Sequence, residues 1–168
     1  LERSPAGMCV ENAIYGNLFL PDEQPGFKVT AEALVAGRYA VDWQVTDVRG
    51  KPCETAHDAL DLKAGERRAF GRTFARGRPG WYGVTATLRD AKGAALVTHR
   101  ASYVLLAPGE RKAGWDSPWF VWTGLGMHSR NGQAFTNAME LCRRGGIRHG
   151  HMGVFGEKEG APWGMTLS

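Results

Sequence analysis

The chain has 168 residues, 43% of them hydrophobic and 23% charged, enough apolar material for one real core and part of a second and too much for disorder throughout. Six Trp, seven Phe and four Tyr furnish that core, while 23 Gly and 8 Pro demand many turns, a combination that leans towards β structure. The net charge of +4 is spread thinly, with 16 basic against 13 acidic residues over 1–112 and 5 against 4 over 113–168, so neither half reads as a polyanion-binding surface and no nucleic-acid partner is expected.

Cys9, Cys53 and Cys142 are an odd number at wide spacings. They exclude a dense disulfide framework and a paired C-x-x-C zinc site, and leave open a single Cys9–Cys53 bridge. No apolar run approaches the roughly 18 residues of a membrane span, so none is expected. A chain that opens on Leu1 without a charged-then-apolar leader reads as a processed or trimmed product, and the expected location is extracytoplasmic, periplasmic or secreted.

From Ala13 to Ala107 short strands follow one another between turn signals, with no helical period. Ile14 to Leu20 is the first expected strand. Phe27, Val29, Ala31, Ala33 and Val35 then alternate with Lys28, Thr30 and Glu32, as a half-buried strand requires. Tyr39, Val41, Trp43 and Val45 repeat the pattern, Ala69 to Phe74 is a weaker stretch, Tyr82, Val84, Ala86 and Leu88 form an inward row, and Leu96 to Leu106 closes the series. Six or seven strands are what a sandwich needs, with Trp43 and Tyr82 in its core. Asp47-Val48-Arg49-Gly50 and Asp90-Ala91-Lys92-Gly93 share the form D-x-(R/K)-G, in which the Asp carboxylate takes backbone N–H groups at the turn entrance and Gly takes a positive φ. One carboxylate per turn is too few for a calcium site.

Pro108-Gly109-Glu110-Arg111-Lys112 is polar and rich in breakers, which places a boundary near residue 112. Trp115 to His128 is apolar and aromatic, with a strand expected at 119–127. From Asn131 the period turns helical: Phe135, Ala138, Met139 and Cys142 share one face, Asn131 can cap the start, and Arg143, Arg144, Gly145 and Gly146 suit the end. A second strand at 147–155 completes a strand-helix-strand unit, the element of a parallel sheet.

Gly16-Asn17-Leu18-Phe19, the two D-x-x-G hairpins, Pro79-Gly80-Trp81-Tyr82 and Tyr103-Val104-Leu105-Leu106 together resemble the immunoglobulin-like sandwich that precedes the barrel of some bacterial glycoside hydrolases. Ser117-Pro118-Trp119-Phe120 with Gly126-Met127-His128 resembles the entry into a (β/α)8 barrel. The helix and Gly146-Ile147-Arg148 resemble the first barrel helix and second strand, and Glu157-Lys158-Glu159-Gly160 with Pro162-Trp163 resembles the cleft-wall loop after that strand. His149, Gly150 and His151 depart from the family's usual aromatic, aliphatic and Arg.

The resemblance implies a mainly β chain: an immunoglobulin-like antiparallel β-sandwich over 1–112, and over 113–168 a partial (β/α)-barrel-like segment of strand, helix and strand. The catalytic pair of a retaining glycosidase, two carboxylates about 5 Å apart, comes in such barrels from later strands, and a closed barrel takes about 250 residues. No catalytic residue is therefore expected here, and the implied role is accessory to a carbohydrate-active protein. The partners it implies are carbohydrate and the remainder of a parent barrel. The alternative is a stand-alone glycan- or protein-binding sandwich module.

His128, His151, Glu157 and Trp163 are the substrate-contact candidates, at strand ends and in the cleft loop. His128, His149 and His151 also have metal-ligand chemistry, but no H-E-x-x-H motif or nearby carboxylate accompanies them, and no metal or cofactor is expected. Trp115, Trp119, Trp122 and Trp163 offer faces that stack on a sugar ring, or that bury at a domain junction. Arg67, Arg68, Arg72, Arg76 and Arg78 interleave with Phe70, Phe74 and Trp81, but alternation sets Arg68, Phe70, Arg72 and Phe74 on one side, which spoils a uniform basic face. No G-x-S-x-G elbow, Cys–His neighbour or nucleotide-binding glycine loop is present.

Overall fold

A strand with one dry face must alternate apolar and polar residues, and in this computed structural model such strands build two facing sheets. The structure describes residues 4–108, 120–122, 132–145, 147, 149–151, 161–163 and 166–167. Two compact units result, Leu1–Ala107 and Pro108–Ser168.

The first unit is a β-sandwich of β1 (Ala6–Asn12), β2 (Leu18–Phe19), β3 (Gly26–Ala33), β4 (Gly37–Asp47), β5 (Pro52–Leu62), β6 (Arg67–Thr73), β7 (Gly80–Asp90) and β8 (Ala95–Leu105). One sheet has the order β1-β3-β6 and the other β2-β8-β7-β4-β5. All neighbours are antiparallel except β2, which runs parallel to β8. Between the sheets lie Phe27, Val29, Ala31 and Ala33 of β3, Tyr39, Val41, Trp43 and Val45 of β4, Val84, Ala86 and Leu88 of β7, and Tyr103 and Leu105 of β8, all buried. Phe74, just past β6, is the centre of an aromatic cluster. Its ring centroid lies 5.5 Å from Trp43, 6.2 Å from Phe27 and 6.3 Å from Tyr103, spacings at which rings attract beyond the area they bury.

A polar seam closes the open side where β5 and β6 face each other. Asp58 of β5 accepts a 2.8 Å hydrogen bond from the Trp43 indole and a 2.9 Å bond from Arg72 Nε, with Arg72 Nη2 on its second oxygen. Arg72 belongs to the other sheet, so this bidentate pair ties the two layers. Arg68 Nη2 donates to the Asp61 carbonyl at 2.9 Å and Ala75 N to Glu54 Oε2 at 2.8 Å. On the opposite side His99 Nε2 lies 2.8 Å from the Met8 carbonyl.

Where the chain crosses between sheets, a tyrosine near the start of the incoming strand pins the crossing. Tyr39 donates to the Val35 carbonyl and Tyr82 to the Arg78 carbonyl, each at 2.7 Å and each four residues back. A Cβ at Gly77 would stand 2.4 Å from the Tyr82 hydroxyl, so glycine there is what lets the hydroxyl reach its acceptor.

Both D-x-(R/K)-G turns form as their residues require. Asp47 Oδ1 accepts from the N–H groups of Arg49 and Lys51, and Asp90 Oδ1 from those of Lys92 and Ala94. Gly50 and Gly93 take φ of 77° and 82°.

The structure departs from the sequence expectation at several points. Val35, expected in the inward row with Phe27 to Ala33, lies past the end of β3 and is exposed. Ile14 to Leu20 is not one strand: Gly16 and Asn17 take φ of 72° and 50°, which breaks extended backbone and leaves a 3-10 turn at Tyr15–Asn17 before the two residues of β2. Strands β1 and β5 were not expected at all. The Cys9–Cys53 bridge that the sequence left open is not formed, because the two free, exposed thiols lie one on each sheet.

The second unit contains β9 (Phe120–Trp122), α1 (Gly132–Arg144), β10 (His149–His151) and β11 (Thr166–Leu167), the strands parallel in the order β11-β10-β9. Ala138, Met139 and Cys142 of α1 are buried, and burial pushes the Cys142 thiol up. Arg143 and Arg144 both bond Glu140 and hold its carboxyl below the usual carboxylate range. The helix ends with Gly145 N on the Leu141 carbonyl and Ile147 N on that of Cys142, both at 2.9 Å, the wide closing bond of a glycine-terminated helix. Asn131, the Phe135 side chain and the rest of the expected spans 119–127 and 147–155 lie outside the described residues.

Replacing Asp58 by Ala strands the Trp43 N–H and the Arg72 guanidinium between the layers, and is expected to destabilise the sandwich by about 1–3 kcal/mol. Phe74→Ala is expected to cost about 3–5 kcal/mol. Chemical denaturation of both variants checks the order. A polypeptide of residues 1–112 is expected to unfold cooperatively and to be more soluble than the full chain. Failure of that shorter chain to fold would mean that the tail belongs to the sandwich core.

Candidate functional site

Of the four expected substrate-contact residues, two have a described backbone. His151 ends β10 and is the backbone partner of Trp122 across the β9–β10 ladder. Trp163 ends the short 3-10 helix Ala161–Trp163. His128 and Glu157 lie outside the described residues, as do Trp115 and Trp119. The residues His149 and His151 share β10 with Gly150 between them. Among the described residues no three His, Cys, Asp or Glu side chains form a group that could hold a metal ion. No helix among them is long and apolar enough to cross a membrane.

A surface that sequence reasoning missed lies on the outer face of the five-stranded sheet. The alternation that sends Tyr82, Val84, Ala86 and Leu88 of β7 inward sends Trp81, Gly83, Thr85, Thr87 and Arg89 outward. Cross-strand register sets Thr46 of β4 and Ser102 of β8 on either side of Gly83, and Gln44 and Arg100 on either side of Thr85. Val104 of β8 is opposite Trp81.

Gly83 carries the geometry. A Cβ built there would stand 3.0 Å from Trp81 Cη2 and 3.1 Å from Thr46 Oγ1, so the indole lies back over the glycine and beside the Thr46 hydroxyl. The indole is nonetheless 44% exposed.

Hydrogen bonding divides this face into two ends. At one end His57 Nδ1 lies 2.7 Å from Asp42 Oδ1, Arg89 Nε donates to Asp42 Oδ2 at 2.7 Å, and the hydroxyls of Thr87 and Thr98 are 3.2 Å apart. The hydrogen bond from His57, then that from Arg89, hold the Asp42 carboxyl below the ordinary carboxylate range. At the Trp81 end, the side chains of Gln44, Thr46, Thr85, Arg100 and Ser102 make no hydrogen bond with the described residues. Their donors and acceptors are left to solvent or to a ligand. At the edge of β8, beside β2, Asn17, 6% exposed, donates to the Ser102 carbonyl and to Asn12 Oδ1 at 2.8 Å each.

No protein-family model matches the chain, and no curated protein matches it in sequence. Among solved structures, the C-terminal domain of wzt superposes with a TM-score of 0.53 at 9% identity, over 63% of this chain and 76% of that one, a likeness of fold. A β-glucosidase from Listeria innocua gives a TM-score of 0.47 at 14% identity, over 61% of this chain and 16% of that one. A β-glucuronidase from Bacteroides uniformis gives 0.45 at 18%, over 58% and 13%. The chain thus spans about a seventh of the length of these glycoside hydrolases.

Proposed function

We propose that this chain is the accessory β-sandwich portion of a carbohydrate-active, glycoside hydrolase-like protein, with residues 113–168 opening its (β/α)8 barrel. In this reading the sandwich is immunoglobulin-like. The strand order β1-β3-β6 against β2-β8-β7-β4-β5 and the Tyr82 bond at the entry to β7 support that, since a tyrosine bonded back to the chain at this corner marks such folds.

The observation that carries the proposal is the change of sheet type along the chain. An antiparallel sandwich is followed by β9, α1 and β10, with β9 and β10 paired parallel, and parallel pairing across a helix is the unit from which a barrel is assembled. In a barrel the C-terminal strand ends carry the chemistry. Accordingly His151, at the end of β10, and Trp163 beyond it, together with His128 and Glu157, which the resemblance to the barrel entry and cleft loop implies, are the proposed contacts to a sugar. No catalytic carboxylate pair is assigned to this chain.

A second reading, a stand-alone glycan- or protein-binding module, is favoured by one observation: the core of the sandwich is closed by residues of the first unit alone.

The purified chain is expected to show no turnover of aryl glycosides, whereas the polypeptide extended by some 200 further residues of its reading frame, about what a closed barrel lacks here, is expected to hydrolyse them. Turnover by the chain alone would overturn the accessory role. A reading frame without barrel periodicity past Ser168 would leave the binding-module reading in its place.

A further inference from the structure

We propose that the outer face of the five-stranded sheet around Trp81 binds a pyranose glycan whose ring hydroxyls are equatorial. The inference rests on the carbohydrate-active reading and gives it a site on the sandwich itself.

A pyranose with equatorial hydroxyls is flat, with C–H groups on its faces and hydroxyls around its edge. Its complement is an exposed aromatic plate surrounded by neutral donors and acceptors at strand spacing. Trp81 is the plate: it is the aromatic of β7 that alternation turns outward, it remains 44% exposed, and the missing side chain at Gly83 gives it room to lie back on the sheet. Thr46, Ser102, Thr85 and Gln44 form the edge, on strands that lie about 4.8 Å apart, and Arg100 adds a planar group able to bond two adjacent hydroxyls.

The surroundings argue against other occupants. The centre of a protein interface is built from further aromatic and aliphatic side chains, whereas the residues that ladder register sets around Trp81 and Gly83 are Thr46, Ser102 and one aliphatic, Val104. A single-stranded nucleic acid would also stack on the indole, but its phosphates need several cations. Of the outward residues paired to Trp81, Gly83 and Thr85 only Arg100 is a cation, and Arg89 farther along is committed to Asp42. The far end of the face, where Asp42, His57, Arg89, Thr87 and Thr98 satisfy one another, supplies an internal control.

Affinity electrophoresis of the full chain through gels containing hydroxyethyl cellulose or xylan tests the proposal, with a galactan, whose repeating sugar has an axial hydroxyl, for comparison. The chain is expected to be retarded by the first two and at least tenfold less by galactan. Trp81→Ala, and Gly83→Val, which displaces the indole while keeping it, are both expected to weaken retardation at least tenfold with unchanged thermal unfolding. Thr87→Val is expected to have no effect. Retardation that survives Trp81→Ala would overturn this face while leaving the accessory reading standing, because glycan would then be held elsewhere in the chain. Equal retardation by galactan would overturn the equatorial preference, and no retardation in any gel would overturn the binding site.

Discussion

The sandwich depends on one carboxylate. Asp58 sits on the inward side of β5 and takes the Trp43 N–H and the Arg72 guanidinium at once, and these three residues come from three strands and both sheets. A polar group between two sheets is costly unless its hydrogen bonds are made, and here each partner satisfies another. Trp43 can present its ring edge to Phe74 at 5.5 Å because its one polar atom is already held. Phe74 in turn fixes Phe27 and Tyr103. The polar seam and the aromatic cluster are thus parts of a single arrangement, and the charge fixes how β6 lies across β5.

With the inner faces occupied in this way, strand alternation leaves the outer face of the larger sheet free of core duties. Its two ends then follow different rules. Around Asp42 the side chains spend their hydrogen bonds on one another, which suits a wetted face that needs nothing else. Around Trp81 they do not, and a large aromatic ring is left exposed in their midst. Exposed aromatic surface has a cost in water that polar residues at the same positions would avoid. Gly83 compounds it, since glycine within a strand sacrifices packing and chain entropy. Two locally unfavourable choices at adjacent outward positions are characteristic of a binding surface.

Much of the sandwich was legible because its inner rows are apolar: Phe27 to Ala33, Tyr39 to Val45 and Tyr82 to Leu88 announce their faces by composition. Strand β5 was not, for a physical reason. Its inward row is Glu54, Ala56, Asp58, Leu60 and Leu62, and the polar members serve the seam, so the alternation that identifies a half-buried strand is hidden. The stretch Ile14 to Leu20 misled in the opposite sense, offering apolar residues to a strand that Gly16 and Asn17 interrupt with positive φ. The Trp81 surface had a signal in G-W-Y-G-V-T-A-T-L, since placing Tyr82 inward necessarily places Trp81 outward over a glycine two residues on. Of the tail site, His128 and Glu157 lie outside the described residues, and the side chains of His151 and Trp163 are likewise not described.

The two units also differ in what their sheets require. An antiparallel sheet can face water on one side, and the larger sheet of the sandwich does so with threonine, serine, glutamine and arginine. A parallel sheet is ordinarily covered on both faces. In the order β11-β10-β9 the central strand is β10, and α1 is the one helix of eight or more residues among the described residues. In the barrel reading α1 belongs to the outer helical ring, and the inner face of β10 packs against side chains from other strands, layer upon layer. The core of the sandwich is closed by its own residues, whereas in the barrel reading the second unit gains its proper environment from further strands. On that reading, binding on the Trp81 face and sugar contacts at the end of β10 are separable properties, one resident in the sandwich and the other dependent on an assembled barrel.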